Sequence, residues 1–245
     1  MSGKKESSPR YYDFLTALFV TVLLVSNIAS SAKIVDSGIT LWNLRLVFDA
    51  GTLLFPLSYI FGDILTEVYG YGRGRRVIWI GFFCSGLTSL VLWIVGLMPA
   101  EAGWAELVGQ EKFDLVLGGM KSGAIVAASL LAYLCGEFSN SVILSRMKIL
   151  TKGRFLWTRT ISSTLVGQAI DTTAFISLAT LFLVPGFTPE IWLSLIVTNY
   201  LFKCGVEAMM TPITYIIVNR LKKAENCDHY DYNLNYNPFR LRAVE

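Results

Sequence analysis

Residues 77–97 read VIWIGFFCSGLTSLVLWIVGL, a run without one charged side chain. An α-helix of that length rises about 30 Å, the thickness of the hydrocarbon layer of a bilayer. A helix in a soluble core is usually shorter and more amphipathic. Outward from this run the same pattern recurs at 12–32, 50–69, 122–144, 157–184 and 192–218. Over the whole chain of 245 residues, 53% are hydrophobic and 16% charged, and the mean hydropathy is +0.53. Soluble domains carry about 25% charged residues. The expected fold class is an all-α integral membrane protein, a bundle of six transmembrane helices over 12–220. Tails at 1–11 and 221–245 flank it, the second read as polar and flexible.

The connecting segments refine the picture. Leu44, Leu46 and Phe48 alternate with Asn43, Arg45 and Val47, which predicts a short hairpin over one membrane end after the first helix. The Gly70–Arg76 stretch reads as a turn, and no strand precedes it as a phosphate loop requires. Residues 100–121 read as a polar, acidic loop. Pro185 and Pro189 punctuate the last connection, and Pro212 predicts a kink in the last helix.

Orientation follows from the cations. Lys4, Lys5, Arg10, Arg73, Arg75, Arg76, Arg146, Lys148, Lys152, Arg154, Arg159, Arg220, Lys222, Lys223, Arg240 and Arg242 fall on one side. Only Lys33, Arg45, Lys112 and Lys121 fall on the other, and Lys203 lies inside a span. The first side is therefore expected to be cytoplasmic, with both termini on it, in a multi-pass membrane protein. Trp42, Trp79, Trp104, Trp157 and Trp192 stand near predicted span ends, as interfacial anchors do. The lone histidine, His229, lies in the C-terminal tail, so histidine-based metal sites and catalytic triads inside the membrane are excluded. Cys84, Cys135, Cys204 and Cys227 lack metal-ligand spacing and read as reduced, packed thiols.

Polar groups inside the spans carry the functional signal, since a charge at the bilayer centre costs at least ~2.5 kcal/mol. Asp63 and Glu67 stand four residues apart on one face, as do Asn199, Lys203 and Glu207 in sequence. Glu137, Asn140 and Ser141 form another stripe, Ser163, Thr164, Gln168 and Asp171 a third, and Ser26, Asn27, Ser30 and Ser31 a fourth. Only the run at 77–97 lacks ionisable groups, which makes it the expected lipid-facing helix. Converging stripes would enclose a polar cavity. Glu137, Asn140, Gln168, Asp171, Asn27 and Lys203 are the expected substrate-binding residues. Asp63, Glu67, Arg146, Arg159 and Glu207 are the expected gating or ion-pair residues, with Arg73, Arg146 or Arg159 as partners for the two acids of the second span. Lys203 could pair with Glu207 or with an acid on a neighbouring helix. Five acids against one base suit a cationic or donor-rich ligand, or a carboxylate that carries a proton. An aspartyl protease would need two facing acids, and Asp63 with Asp171 are the available pair. A purely structural membrane subunit is the other class that stays open.

Several ordered segments resemble one family. They are FPLSYIFGDILTEVYGYG at 55–72, GEFSNS at 136–141, LWTRTISST at 156–164, GQAID at 167–171, and 200–212 with Lys203. Together they resemble the queuosine precursor transporters, or vitamin uptake transporter family, over about 12–220. The resemblance implies uptake of 7-cyano-7-deazaguanine or its aminomethyl derivative across the bacterial inner membrane; transport of another vitamin-like or nucleobase heterocycle is the rival reading. It also implies a fold similar to the substrate-binding components of energy-coupling-factor transporters. It implies a transporter and not an enzyme, with a small-molecule substrate and the lipid bilayer as partners, no cofactor and no nucleic acid. A deazaguanine edge offers N1–H and an amine to a carboxylate and O6 to a donor. Glu137 or Asp171 would read that edge, Asn140 and Gln168 would add amide contacts, and Phe138, Phe175 or Tyr59 would stack. Proton coupling and a homo-oligomer stay open.

Overall fold

The computed structural model describes residues 9–41, 44–121, 123–183 and 189–240. Lys4, Lys5, Trp42, Asn43, Ser122, Val184, Pro185 and Arg242, all used above, lie outside the described residues. The elements run α1 (Tyr12–Ala32), β1 (Ile34–Leu41), β2 (Leu44–Asp49), a 3-10 turn (Ala50–Leu53), α2 (Phe55–Tyr69), α3 (Tyr71–Leu97), α4 (Ala102–Leu107), α5 (Gln110–Lys121), α6 (Gly123–Leu150), α7 (Leu156–Leu183) and α8 (Pro189–Glu225).

Among the described residues five helices are long and apolar enough to cross a membrane: α1, α3, and the segments Ile125–Leu150, Leu156–Leu181 and Leu195–Glu225 of α6, α7 and α8. Large apolar side chains such as Phe14, Phe83, Leu87, Leu131, Leu165 and Leu201 face outward from them. On the outside of a soluble protein such a surface would be a liability; in a bilayer it is the contact with lipid. The charge-free run 77–97 of α3 presents a broad face of this kind, through Phe83, Leu87, Leu90, Val91 and Trp93.

The second predicted span differs. Residues 50–69 divide into the 3-10 turn and a helix of only 15 residues, about 22 Å of rise. Twelve of its residues are buried, because α2 packs among α1, α3, α6 and α8. A helix covered by protein can keep Asp63 and Glu67 that a lipid-facing helix could not, and so escapes a hydropathy test.

Three other readings change. The turn before α3 is Gly70 alone, at φ +85°, and the arginines of 73–76 already belong to the helix. The polar loop after α3 contains α4 and α5; Glu101 caps α4 by accepting the Trp104 N–H at 2.8 Å, and α5 packs on α1, α3 and α6. The C-terminal segment does not trail free. Residues 226–240 fold back as a strap across the ends of α2, α3 and α6. Buried Asp231 accepts the Tyr71 N–H at 2.9 Å and the Ser145 hydroxyl at 2.6 Å. Arg75 donates to the Asn235 and Asn237 carbonyls at 3.2 and 2.7 Å, and Trp79 to the Pro238 carbonyl at 2.9 Å.

The predicted hairpin is present, antiparallel and bulged: Asp36 pairs with Val47 and Thr40 with Arg45, so residues 37–39 stand opposite Leu46 alone. Gly38 supplies the φ of +71° that this bulge needs. Phe48 stacks on Phe202 at 4.9 Å, which fastens the hairpin to α8.

Helices α6 and α7 pack most extensively, and glycines let them approach. A Cβ on Gly136 would lie 2.7 Å from both the Asp171 Cβ and the Tyr59 hydroxyl, and one on Gly167 would lie 2.8 Å from the Asn140 Cβ. Gly167→Ala should therefore destabilise the protein by ~1–3 kcal/mol through overpacking. Gly72→Ala, where a Cβ meets nothing within 4 Å, should be neutral or gain up to about 1 kcal/mol of helix propensity. Thermal unfolding of the two variants in detergent checks the difference.

Candidate functional site

Following the polar stripes inward leads to two separate places. At the hairpin end of the bundle lies a cavity of about 390 Å³. At the opposite end, beside the chain termini, lies a knot of buried charge.

The cavity is lined by α1, α2, α3, α5, α6, α7 and α8, with Asp49 at the end of β2. Its aromatic walls are Phe55, Tyr59, Tyr133 and Phe175, and its polar groups include Asn27, Ser85, Ser89, Asp171, Asn199 and Lys203. Lys203 donates to Asp171 at 3.0 Å and lies over the Phe55 ring at 5.1 Å. The lysine pairs across helices with α7, and Glu207 on its own helix takes the Thr164 hydroxyl instead. Asp49 also reaches the cavity. It caps the turn before α2, accepting the Thr52 N–H at 3.0 Å, the Thr52 hydroxyl at 2.7 Å and the Ser30 hydroxyl at 2.6 Å. Its oxygens are thus engaged by the protein. Asp49 was missed at the level of sequence, although Asp followed three residues later by Thr before a helix is a capping signal.

Of the six expected binding residues, Asn27, Asp171 and Lys203 are on the cavity wall. Glu137, Asn140 and Gln168 are not. They are fully buried deeper in the bundle, on α6 and α7. Asn140 donates to Asp63 at 2.7 Å. Both Glu137 oxygens, both Gln168 amide atoms and the Asn140 carbonyl oxygen lack hydrogen-bond partners among the described protein groups, as does the Tyr59 hydroxyl on the wall. Phe138 packs on Trp79 at 6.0 Å and does not line the cavity, so it cannot stack on a ligand there.

The charge knot centres on Glu67. Arg159 approaches it at 3.0 and 2.7 Å in a two-pronged pair, Lys222 at 2.5 Å and Lys148 at 3.5 Å. Glu67 and Arg159 are each 1% exposed. Lys148 also donates to the Glu67 carbonyl, to Asp228 and to the His229 carbonyl, at 2.6, 2.6 and 2.7 Å, which ties the strap to the knot. The pairing of Glu67 with Arg159 was among those expected. Two others change: Asp63 takes the Asn140 amide and no arginine, and Arg146 stacks on the Tyr236 ring at 4.9 Å. Burial alone would raise the Asp228 carboxyl, but hydrogen bonds from Lys148 and Lys222 outweigh it and hold the group below the usual carboxylate range.

Asp63 and Asp171 each have a partner of their own, the Asn140 amide and the Lys203 ammonium. Among the described residues no group of three or more His, Cys, Asp or Glu could hold a metal ion.

Comparison with known proteins gives a consistent picture. Residues 49–217 match the family described as "Putative vitamin uptake transporter". A "Probable queuosine precursor transporter" of Bacillus subtilis (strain 168) is 28% identical over 166 residues, 67% of this chain and 69% of its own. The "Queuosine precursor transporter" of Escherichia coli (strain K12) is 25% identical over 218 residues, 89% of this chain and 92% of its own. The protein of that kind from Haemophilus influenzae is 25% identical over 168 residues, 69% of this chain and 67% of its own. These are names of transporters and not of enzymes. No solved structure matches the chain.

Two outcomes follow from the knot. Glu67→Ala leaves buried Arg159 without its carboxylate, and Lys148 and Lys222 with Asp228 alone, and should cost ~3–5 kcal/mol. Arg146→Ala, which loses only an exposed ring contact, should cost about 0.5–1 kcal/mol; unfolding midpoints of the two compare them. For Asp228 the folded pKa lies below the unfolded one. Its contribution is therefore complete above the ordinary carboxylate range and lost as the pH falls through the lowered value. Hydrogen exchange of 226–240 should rise only in distinctly acid solution.

Proposed function

The chain belongs to the vitamin uptake transporter family, and from that premise we propose that it imports queuosine precursors, 7-cyano-7-deazaguanine or 7-aminomethyl-7-deazaguanine or both, across the bacterial inner membrane. The names of the relatives support the substrate class. The cavity of about 390 Å³ supports a small heterocycle, since it falls near the lower end of the ~300–1,000 Å³ of small-molecule sites.

One observation carries the reading: Asp171 and Lys203 meet at 3.0 Å on the cavity wall. Acceptor oxygens there stand beside a donor ammonium. A guanine-like edge presents N1–H and N2–H beside O6, the complementary order. Asp171 takes the two N–H groups and Lys203 gives to O6. Phe55, Tyr59 and Phe175 supply faces for the ring. Asn27 serves the far side, and Asn140 and Gln168 lie beneath as amides that a shift of the wall could expose.

The topology completes the proposal. Enclosed α2 counts as the second of six spans, both termini are cytoplasmic, and the hairpin is extracytoplasmic. The cavity then occupies the outer half of the bundle. The Glu67 knot, with Arg159, and the strap close the inner half and act as the inner gate, with Asp63 and Glu207 between gate and cavity. Similarity to the substrate-binding components of energy-coupling-factor transporters rests on the family resemblance alone.

Uptake of labelled 7-cyano-7-deazaguanine into proteoliposomes tests the reading, with guanine and thiamine as competitors. Unlabelled precursor should compete fully and thiamine should not. Asp171→Asn and Lys203→Met should each lower uptake about 5- to 150-fold, the equivalent of ~1–3 kcal/mol for one unpaired buried group. Normal uptake by both variants, or full competition by thiamine, would remove the assignment.

A further inference from the structure

Five acids lie within the spans, and two of them are neutralised. Glu67 meets Arg159, Lys148 and Lys222, and Asp171 meets Lys203. Asp63, Glu137 and Glu207 remain, at 2%, 0% and 4% exposure, with no ion pair to a cation among the described residues. Their surroundings differ. Asp63 accepts from Asn140 and Glu207 from Thr164, whereas neither oxygen of Glu137 accepts anything.

The groups facing Glu137 supply no positive charge to it. Asp63 and Tyr59 approach from α2, whose Gly62 lies so near that a Cβ there would be 3.1 Å from the Glu137 Oε2. Tyr133 stands one turn earlier on α6, with Cys84 of α3 beyond it. Asp171 faces it from α7 with its charge engaged by Lys203 of α8, and Glu207 faces it from α8. From α1 the apolar Phe19 reaches the same place, 3.9 Å from where a Gly62 Cβ would stand. An ionised carboxylate placed there, without a donor and among other acids, costs several kcal/mol. A metal ion does not resolve the charge, because no three such ligands converge among the described residues.

We propose that Glu137 is a proton-carrying site and that its proton is transported together with the substrate. The coupling half of this proposal rests on the uptake reading above. Tyr59 links the two places: it lines the cavity, and its unpartnered hydroxyl lies against Gly136, the residue before Glu137. A proton from the outer side adds to a Glu137 oxygen while the cavity takes up substrate. The same O–H bond breaks when the inner side opens, and the proton leaves toward the cytoplasm. One proton enters per cycle, and no electron moves.

Two measurements test it independently. In the purified wild-type protein at neutral pH, infrared spectroscopy should find a protonated carboxyl band. Carbon-13 labelling of glutamate should shift that band, and Glu137→Gln should remove the Glu137 component, which Glu207→Gln and Asp63→Asn leave in place. Absence of the band, or a band that Glu137→Gln leaves intact, overturns the protonated site whatever the substrate. In proteoliposomes, the ratio of 7-cyano-7-deazaguanine uptake with an inward acid gradient to uptake without one should be well above one for wild type. It should fall to about one with a protonophore or in Glu137→Gln. A ratio of one in wild type, or accumulation driven by a sodium gradient, overturns the coupling and leaves the uptake reading standing. If wild type takes up no deazaguanine under any condition, the uptake reading and the coupling fall together, while the infrared band still decides the protonated carboxyl.

Discussion

Glu67 is held by three cations from three different helices, and most of the fold is arranged around that contact. Arg159 comes from α7, Lys148 from α6 and Lys222 from α8, all onto a carboxylate of α2. Lipid cannot solvate any of these charges, so each helix is held in the rotation and depth that lets its charge meet the others. The knot accounts for the unusual second helix. With 15 residues and two acids, α2 could not stand in a bilayer alone, yet it is stable as the central member that the others enclose. The strap is drawn in by the same contact, through the bonds from Lys148 to Asp228 and the His229 carbonyl.

The two ends of the bundle are consequently unlike. At the terminal end, ion pairs, the strap and the apolar cluster of Leu15, Phe19, Ile64, Leu65 and Val68 pack against one another. At the hairpin end the helices diverge around serines, asparagines and aromatic rings. Between them, Gly136 and Gly167 bring α6 and α7 together at the level of Asn140 and Asp171. A tight waist separating a closed end from a hollow one is what alternating access needs: one side can open only if the other is shut.

Much of this was readable from residue types and spacing, and the rest failed for physical reasons. Long charge-free runs identify α1 and α3, and the polar stripes identify the inward faces of α2, α6, α7 and α8. The i, i+4 spacing of Lys203 and Glu207 shows that both face inward. It does not show which neighbour each meets, since that depends on how α7 and α8 are rotated; hence Lys203 finds Asp171 and Glu207 finds Thr164. Depth is also hidden. Glu137 and Asp171 both read as inward acids, yet one is sealed off from the cavity and the other is on its wall. The strap was missed because its attachments are mostly backbone carbonyls, at Asn235, Asn237 and Pro238, which leave no trace in composition. The Asp49 cap did leave a trace, and was passed over because a lone acid beside a hairpin resembles ordinary loop polarity.

The engaged state of Asp171 and Lys203 also revises what the acid excess means. Five acids against one base suggested a site for a cation. The three cations around Glu67 come from helix ends, Asp171 is neutralised on the wall, and the remaining acids lie away from the cavity. What the wall presents is a neutral donor–acceptor pair. A ligand that separates the pair must replace both partners at once, because leaving either charge bare in a site of low polarity costs more than most single contacts return. A simple cation could satisfy Asp171 but would strand Lys203, and an anion would do the reverse. For the uptake proposed above, selectivity would then come from the geometry of one planar edge carrying donors and an acceptor side by side. Sites built to satisfy both halves of such an edge reject analogues lacking one half far more strongly than apolar pockets reject a missing methylene.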